Sequence, residues 1–342
     1  MARRLVGLDI GSFSIKVVSL SKKGVGYRLE AIGIALNPQG ARPGDDEESQ
    51  RRVVEATKKL LSDTKLSGSK SAFALSESQV YTKVMEMPVL SDSELASAIH
   101  WEAEQYIPVP LDQVNIDYEI ISRPEKGSGG DKMEVLLVAA PKKAVLRLVE
   151  FAGKCGVEVV SLETEMIAVM RAIVRDEAGA APTMLVHIGA SSMDISVVLQ
   201  GMLLLTHSIE SGGVALTRSL TNELGLEFAQ AEEYKRSYGL DPSQLEGKVR
   251  DALRPLVDRT LMDVKKTLQY YNSGHQEAPI KRVVLSGGSA LLPGLVSYMA
   301  EFLGIEVVLG NAFSEIEPSP NAAIPNDTVS FATAVGLAMK EV

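Results

Sequence analysis

The sequence predicts an α/β protein built from two duplicated domains around a shared cleft, with a split-βαβ subdomain inserted. Three observations predict it. First, "LVGLDIGSFSIKVV" (5–18) and "MLVHIGASSMDISVV" (184–198) both read strand, small-residue turn, strand, and Ile10-Gly11 aligns on Ile188-Gly189. Second, residues 80–163 between the two repeats read β-α-β-β-α-β. Third, 342 residues are long for one core, so two or more domains are expected.

The elements follow in order. "RLVGLDIG", "SIKVVSLS" and "YRLEAIGIAL" are rich in β-branched residues and joined by short connections, which predicts consecutive antiparallel pairing. The polar stretch "NPQGARPGDDEES" reads as an exposed loop. Val53, Val54, Thr57, Leu60 and Leu61 then recur at helical spacing. In the insert, "QVYTKVMEM" is a strand, and "SDSELASAIHWEAEQY" is a helix with Ser91 and Glu94 in capping-box spacing. Pro108 and Pro110 end that helix, and "QVNIDYEII" alternates with a period of two. A loop, "RPEKGSGGDK", leads to the strand "MEVLLVAA", the helix "KKAVLRLVEFAGKCG" and the strand "VEVVSLE". After the second repeat come three helices, "GVALTRSLTNELG", "EFAQAEEYKRSYG" and "GKVRDALRPLVDRTLMDVKKTLQYYNS". The unit "IKRVVLSGGSALLPGLVSYMAEFLG" reads strand, glycine turn, helix, and a loop over 311–327 precedes the closing helix "VSFATAVGLAMKEV".

Composition excludes several classes. An apolar share of 45% with 23% charged residues is that of an ordinary globular protein. A net charge of −9 leaves no basic surplus for phosphate neutralisation, so nucleic acid is not expected as a partner. The single cysteine, Cys155, rules out an internal disulfide and fits a reducing compartment. No stretch reaches the roughly 18 apolar residues that span a bilayer, and Asp9 interrupts the N-terminal apolar stretch too early for a signal peptide. The protein is expected in the cytoplasm. There is no P-loop, no G-x-G-x-x-G and no G-x-S-x-G, and the four histidines lack metal-ligand spacing.

The glycine turns remain. A small-residue turn exposes consecutive backbone N–H groups that can hold an anion, though ordinary hairpins share this composition. Gly11, Ser12 and Ser14 can cradle a phosphate with Lys16 as a point charge, and Asp9 can hold magnesium through water. Gly189 takes the matching place in the second repeat. Gly212 and Gly213 open a helix whose N-terminus can face a nucleotide, and Gly287, Gly288 and Ser289 form another turn before a helix. Glu232 and Lys235 lie three apart on one helix face. They can grip a ribose or base edge, or be a solvated ion pair.

In this order and separation, "LDIGSFSIKVV", "LVHIGASSMDISVV" and "VVLSGGSALLPGL" resemble the actin-like ATPases, a superfamily that includes sugar kinases and DnaK-type chaperones. That resemblance implies that the two hairpins are phosphate loops for ATP and that the late glycine turn holds adenosine. "MEMPVLSDSELASAIHWEAEQYIPVPLDQVNIDYEII", "SGGVALTRSL", "AEEYK" and "FATAVGLAMK" resemble more closely the PilM family of type IV pilus assembly proteins, itself similar to the division protein FtsA. The implied division is 1–79 with 164–182 and 329–342 as a first actin-like subdomain and 80–163 as the insert. Residues 183–220 with 280–328 form a second actin-like subdomain, and 221–279 form a helical lid.

One position departs from the superfamily. The second phosphate loop usually begins with an aspartate near magnesium, and here it is His187. Asp194, on the same hairpin, is the candidate substitute, and Asp9 and Asp194 are the candidate catalytic carboxylates. The other reading of His187 is a strand residue with a satisfied hydrogen bond. Binding of ATP and magnesium is therefore expected to be better preserved than hydrolysis. The resemblance implies a cytoplasmic scaffold, peripheral to the inner membrane, that docks the N-terminal tail of a PilN-like membrane protein as an extended peptide. Other pilus components or a second copy are further partners in this reading. Ile99, Trp101, Tyr106 and Ile107 are candidates for the groove or for the insert's core. A small-molecule kinase would need a carboxylate aimed at a substrate hydroxyl. An FtsA-like division protein would be expected to carry a basic amphipathic helix after "LAMKEV". A type II secretion relative is the remaining alternative.

Overall fold

The computed structural model describes residues 5–24, 26–38, 46–124, 132–174 and 181–341. The first part of the chain runs β1 (Leu5–Ile10), β2 (Ser14–Lys23), β3 (Gly26–Leu36), α1 (Glu47–Asp63) and β4 (Lys70–Leu75). The insert follows with β5 (Tyr81–Pro88), α2 (Asp92–Tyr106), β6 (Val114–Ser122) and β7 (Lys132–Pro141). Next come α3 (Lys142–Cys155), β8 (Glu158–Thr164) and α4 (Glu165–Ile173). The second half holds β9 (Thr183–Ile188), β10 (Met193–Leu199), β11 (Met202–Ile209), α5 (Gly213–Leu224), α6 (Phe228–Tyr238) and α7 (Lys248–Gly274). It closes with β12 (Arg282–Ser286), α8 (Leu295–Leu303), β13 (Glu306–Leu309), β14 (Ile316–Glu317) and α9 (Ala332–Ala338). The expected loops around 37–49 and 123–132 lie largely outside the described residues.

The duplication is visible in the sheets. One is ordered β14-β3-β2-β1-β4-β8 and the other β11-β10-β9-β12-β13. In each, three consecutive strands pair antiparallel and two further strands add in parallel on the far side of the first. Apart from the edge strand β14 the two orders are the same. The result is an actin-like fold.

The third sheet, β5-β7-β6, corrects one expectation. The segment "VEVVSLE" was to complete a four-stranded split-βαβ unit, but β8 pairs in parallel with β4, Phe73 opposite Leu162. The preceding α3 goes with it: Leu148, Phe151, Ala152 and Cys155 are buried among Val6, Leu8 and Ile15. The insert's own core instead joins Leu95, Ile99 and Ala103 of α2 to Met85, Met133 and Val135. The element order was right and the partner wrong, because parallel pairing joins strands distant in sequence.

Local chemistry sets the helix limits. Asp46 caps α1 by accepting the Ser49 N–H at 3.0 Å, and Glu47 and Glu48 favour its positive end. The expected capping box holds at α2, where Ser91 N–H donates to Glu94 Oε2 at 2.8 Å. The closing helix is shorter than the sequence pattern and is buried on every side. It can be so because it meets backbone directly. A Cβ on Gly7 of β1 would lie 2.0 Å from the Ala334 carbonyl, and one on Gly336 would lie 1.8 Å from that of Ala168 in α4. Arg171 fastens this join, donating to Glu163 at 2.6 and 2.7 Å and to the Gly336 carbonyl at 2.7 Å. Among the described residues no helix is long and apolar enough to cross a membrane.

Candidate functional site between the duplicated hairpins

The turn joining β1 to β2 and the turn joining β9 to β10 close in the same way. Gly11 N–H donates to the Ser14 carbonyl at 3.1 Å, and Gly189 N–H donates to the Ser192 carbonyl at 2.9 Å. Register repeats as well: Asp9 stands opposite Lys16, and His187 opposite Asp194. The two turns meet, with Ser12 Oγ and Ser191 Oγ 3.1 Å apart. Around them lies a cavity of about 550 Å³. Every sequence-predicted site residue lines it except Gly212 and Asp194.

The first hairpin supplies charge. Lys16 Nζ and Asp9 Oδ2 are 3.6 Å apart, and both side chains are buried. Burial raises the Asp9 carboxyl above its usual range, and the Lys16 ammonium works against that rise. Asn37 ties the turn down by donating Nδ2–H to the Gly11 carbonyl at 3.0 Å.

The second hairpin supplies little charge. His187 Nδ1 lies 3.0 Å from Ser286 Oγ, and burial, helped by the Lys16 charge, pushes the imidazole down to about 4. It is neutral at physiological pH. The hydrogen-bonded reading is thus satisfied while the ring also lines the cavity. Asp194 does not take over the missing carboxylate's place at the cavity wall. It is fully buried, accepts from Ser192 Oγ at 3.2 Å, and lies close enough to Glu77 to raise that group. Glu77 had no sequence signal. Its Oε1 accepts the Met166 N–H at 3.1 Å in the first turn of α4, and burial pushes its carboxyl up to about 7.

The start of α5 differs from expectation. Gly213 N–H donates to the Gly189 carbonyl at 3.0 Å and Val214 N–H to the Ala190 carbonyl at 2.8 Å. These amides hold the second turn. Gly212 is a packing residue: its Cβ would lie 2.7 Å from the Ala190 carbonyl. Gly287 has φ +84°, and a Cβ there would lie 2.4 Å from the Ile188 carbonyl, so only glycine fits. Ser289 Oγ donates to the Gly189 carbonyl at 2.9 Å, which locks the late glycine turn onto the same hairpin.

Glu232 and Lys235 are not a solvated pair. Lys235 is buried and donates to Glu232 Oε2 at 2.6 Å, Thr217 Oγ1 at 2.8 Å and the Gly213 carbonyl at 2.9 Å. Burial lowers its pKa, and Glu232 opposes the shift. Phe13, Glu165, Arg236, Asp327 and Ser330 also line the cavity and were missed. Only Arg236 had a hint, as the neighbour of Lys235. Asp327 and Ser330 pair locally, Oγ to Oδ2 at 2.6 Å, inside a loop whose composition says only that it turns. Among the described residues no three His, Cys, Asp or Glu side chains converge as a metal set. Of the four groove candidates, Ile99 and Ile107 are core, whereas Trp101 is 74% and Tyr106 46% exposed.

Comparison with known proteins gives these arrangements relatives. Residues 7–342 match the family model described as type IV pilus assembly protein PilM. The structure superposes on the PilM–PilN type IV pilus biogenesis complex with a TM-score of 0.82 at 24% identity, covering 98% of this chain and 97% of that one. It superposes on MreB 5 of Spiroplasma citri bound to AMPPNP with a TM-score of 0.56 at 11% identity, covering 98% and 95%. The cell division protein FtsA of Pseudomonas aeruginosa is 22% identical over 91% of this chain and 84% of its own length.

Proposed function

Because the chain belongs to the PilM family of type IV pilus assembly proteins, we propose that it is an ATP-binding, actin-like scaffold of the pilus assembly machinery. In this reading it sits in the cytoplasm and docks the N-terminal tail of a PilN-like membrane protein. The observation that carries nucleotide binding is the pair of identically closed turns meeting across one cavity, with Lys16 behind them. Consecutive N–H groups at such turns suit phosphate oxygens, and the buried ammonium of Lys16 adds a charge weakly screened by solvent. Glu232 and Lys235 line the same cavity as the Gly287–Ser289 turn and would take the sugar or base in this reading.

A magnesium ion fits this reading in a limited way. Asp9 would hold it through water, and the remaining ligands would be water and phosphate oxygens. Turnover would be slow, because neutral His187 adds neither a negative charge nor a base of useful pKa at neutral pH. The subdomain division is part of the same proposal, with α3 and β8 returned to the first actin-like subdomain and the remaining insert, β5 to β7 with α2, as the tail-docking module. Support for a PilN-like partner comes from the similar PilM–PilN complex.

Calorimetric titration of Mg-ATP into the intact protein, with Lys16→Ala beside it, tests the nucleotide half. Saturable binding that the substitution abolishes is expected. No binding by the intact protein would leave the cleft without its ligand. Titration with a PilN N-terminal peptide tests the other half, and Trp101 fluorescence reports whether the exposed end of α2 is involved.

A further inference from the structure

Beyond the two serines, one more side-chain contact bridges the mouth of the cleft. Phe13, at the tip of the first turn, lies under the guanidinium of Arg236 on α6, with 5.2 Å from Cζ to the ring centroid. Both side chains line the cavity. Arg236 is held from behind, its Nε 3.3 Å from Glu232 Oε1, while Glu232 Oε2 accepts from buried Lys235 at 2.6 Å. One carboxylate therefore serves both the buried cation and the cation at the mouth. Phe13 is an odd residue for a turn otherwise made of Gly and Ser, and no apolar core claims it.

We propose that Phe13 and Arg236 form a cation–aromatic latch that clasps the two lobes over the cavity and limits the rate at which a nucleotide enters and leaves. The exchange role rests on the nucleotide reading above; the clasp itself does not. A contact between two lining residues at the mouth must open for entry and open again for exit. It slows both rates alike and leaves the dissociation constant nearly unchanged. An exposed contact of this kind is worth about two- to fivefold in the closed-to-open ratio.

Two measurements test it. Stopped-flow mixing with a methylanthraniloyl-labelled ATP reads both rates. Phe13→Ala and Phe13→Leu are expected to raise association and dissociation alike by about threefold, while Phe13→Tyr keeps the slow exchange. A rise in dissociation alone, with weaker binding, would make Phe13 a ligand contact and overturn the latch, as would unchanged rates. The second measurement needs no nucleotide. Ser12→Cys with Ser191→Cys is oxidised in the ligand-free protein, where buried Cys155, with its thiol pushed up to about 12, does not compete. Adding Phe13→Ala is expected to slow the cross-link about threefold. An unchanged cross-linking rate overturns the clasp even if nucleotide binds. A slowed one supports it even if no nucleotide binds, in which case only the nucleotide reading fails.

Discussion

The two hairpins share a backbone and divide the chemistry. Each closes its turn through a Gly N–H on the carbonyl three residues on, and each presents one cross-strand pair just behind the turn. In the first hairpin that pair is Asp9 and Lys16, ionic and at the cavity. In the second it is His187 and Asp194, where the ring is neutral and the carboxylate is covered. Duplication of the fold thus preserved what backbone hydrogen bonds require. It did not preserve the side chains, because a hairpin needs only small residues at its turn and apolar residues on its buried face.

The strongest way to break the contrast is to remove charge from the first hairpin. Lys16→Ala leaves Asp9 buried without its ammonium, and urea unfolding is expected to show a loss of about 3 kcal/mol. The double substitution Asp9→Ala, Lys16→Ala should recover most of that stability but not Mg-ATP binding. If the double variant is no more stable than the single, the pair is not what holds this floor.

Proton linkage sharpens the contrast next. His187 has a folded pKa of about 4 against an ordinary value near 6.5. The unfolded chain binds more protons between those limits, so this group contributes stability that is full above about pH 6.5 and lost as pH falls towards 4. Glu77 runs the other way. Its folded pKa of about 7 exceeds the usual 4.5, so its contribution is full below pH 4.5 and lost as pH rises through 7. The two offset each other between pH 4.5 and 6.5. In that window His187→Asn should lose stability as pH rises and Glu77→Gln should gain it, each by up to about 3 kcal/mol by denaturant titration. Parallel pH profiles for the two variants would contradict the assignment.

A smaller effect is expected from making the second hairpin like the first. His187→Asp restores a carboxylate at the cavity, and steady-state phosphate release with magnesium should rise on the order of tenfold, with ATP affinity changed less. Unchanged turnover would mean that the missing carboxylate is not what limits hydrolysis. Smallest of all is Ser12→Ala, which removes the hydroxyl bridge to Ser191. It is expected to cost about 0.5 kcal/mol in thermal unfolding, since the bridge competes with water.

Much of this molecule was legible in the residues themselves. The hairpins, the helix of Val53 to Leu61 and the capping box of Ser91 and Glu94 depend on contacts a few residues apart, and pattern reports those directly. The same locality let the turns at Gly11, Gly189 and Gly287, which line one cavity, be picked out. What the pattern could not carry was pairing and burial. "VEVVSLE" is a good strand for either sheet, and only the apolar face of α3, buried against Val6 and Leu8, decides that β8 lies beside β4. Gly212 and Gly213 read as a helix start open to a ligand, yet packing put the Ala190 carbonyl against one and the Gly189 carbonyl on the N–H of the other.

The sequence by itself determined that there would be two like domains, where their turns fall, and that Asp9, Lys16, Glu232 and Lys235 are among the charges near them. Those follow from repeat, period and residue type. Tertiary structure alone decided that Lys235 is buried rather than solvated, that Asp194 is covered while His187 meets the cavity, that Glu77 sits near neutrality, and that Phe13 reaches Arg236. Each of these depends on which groups, hundreds of residues apart in some cases, exclude water from one another. Desolvation and cross-cleft distance are properties of the assembled fold, and no local spacing encodes them.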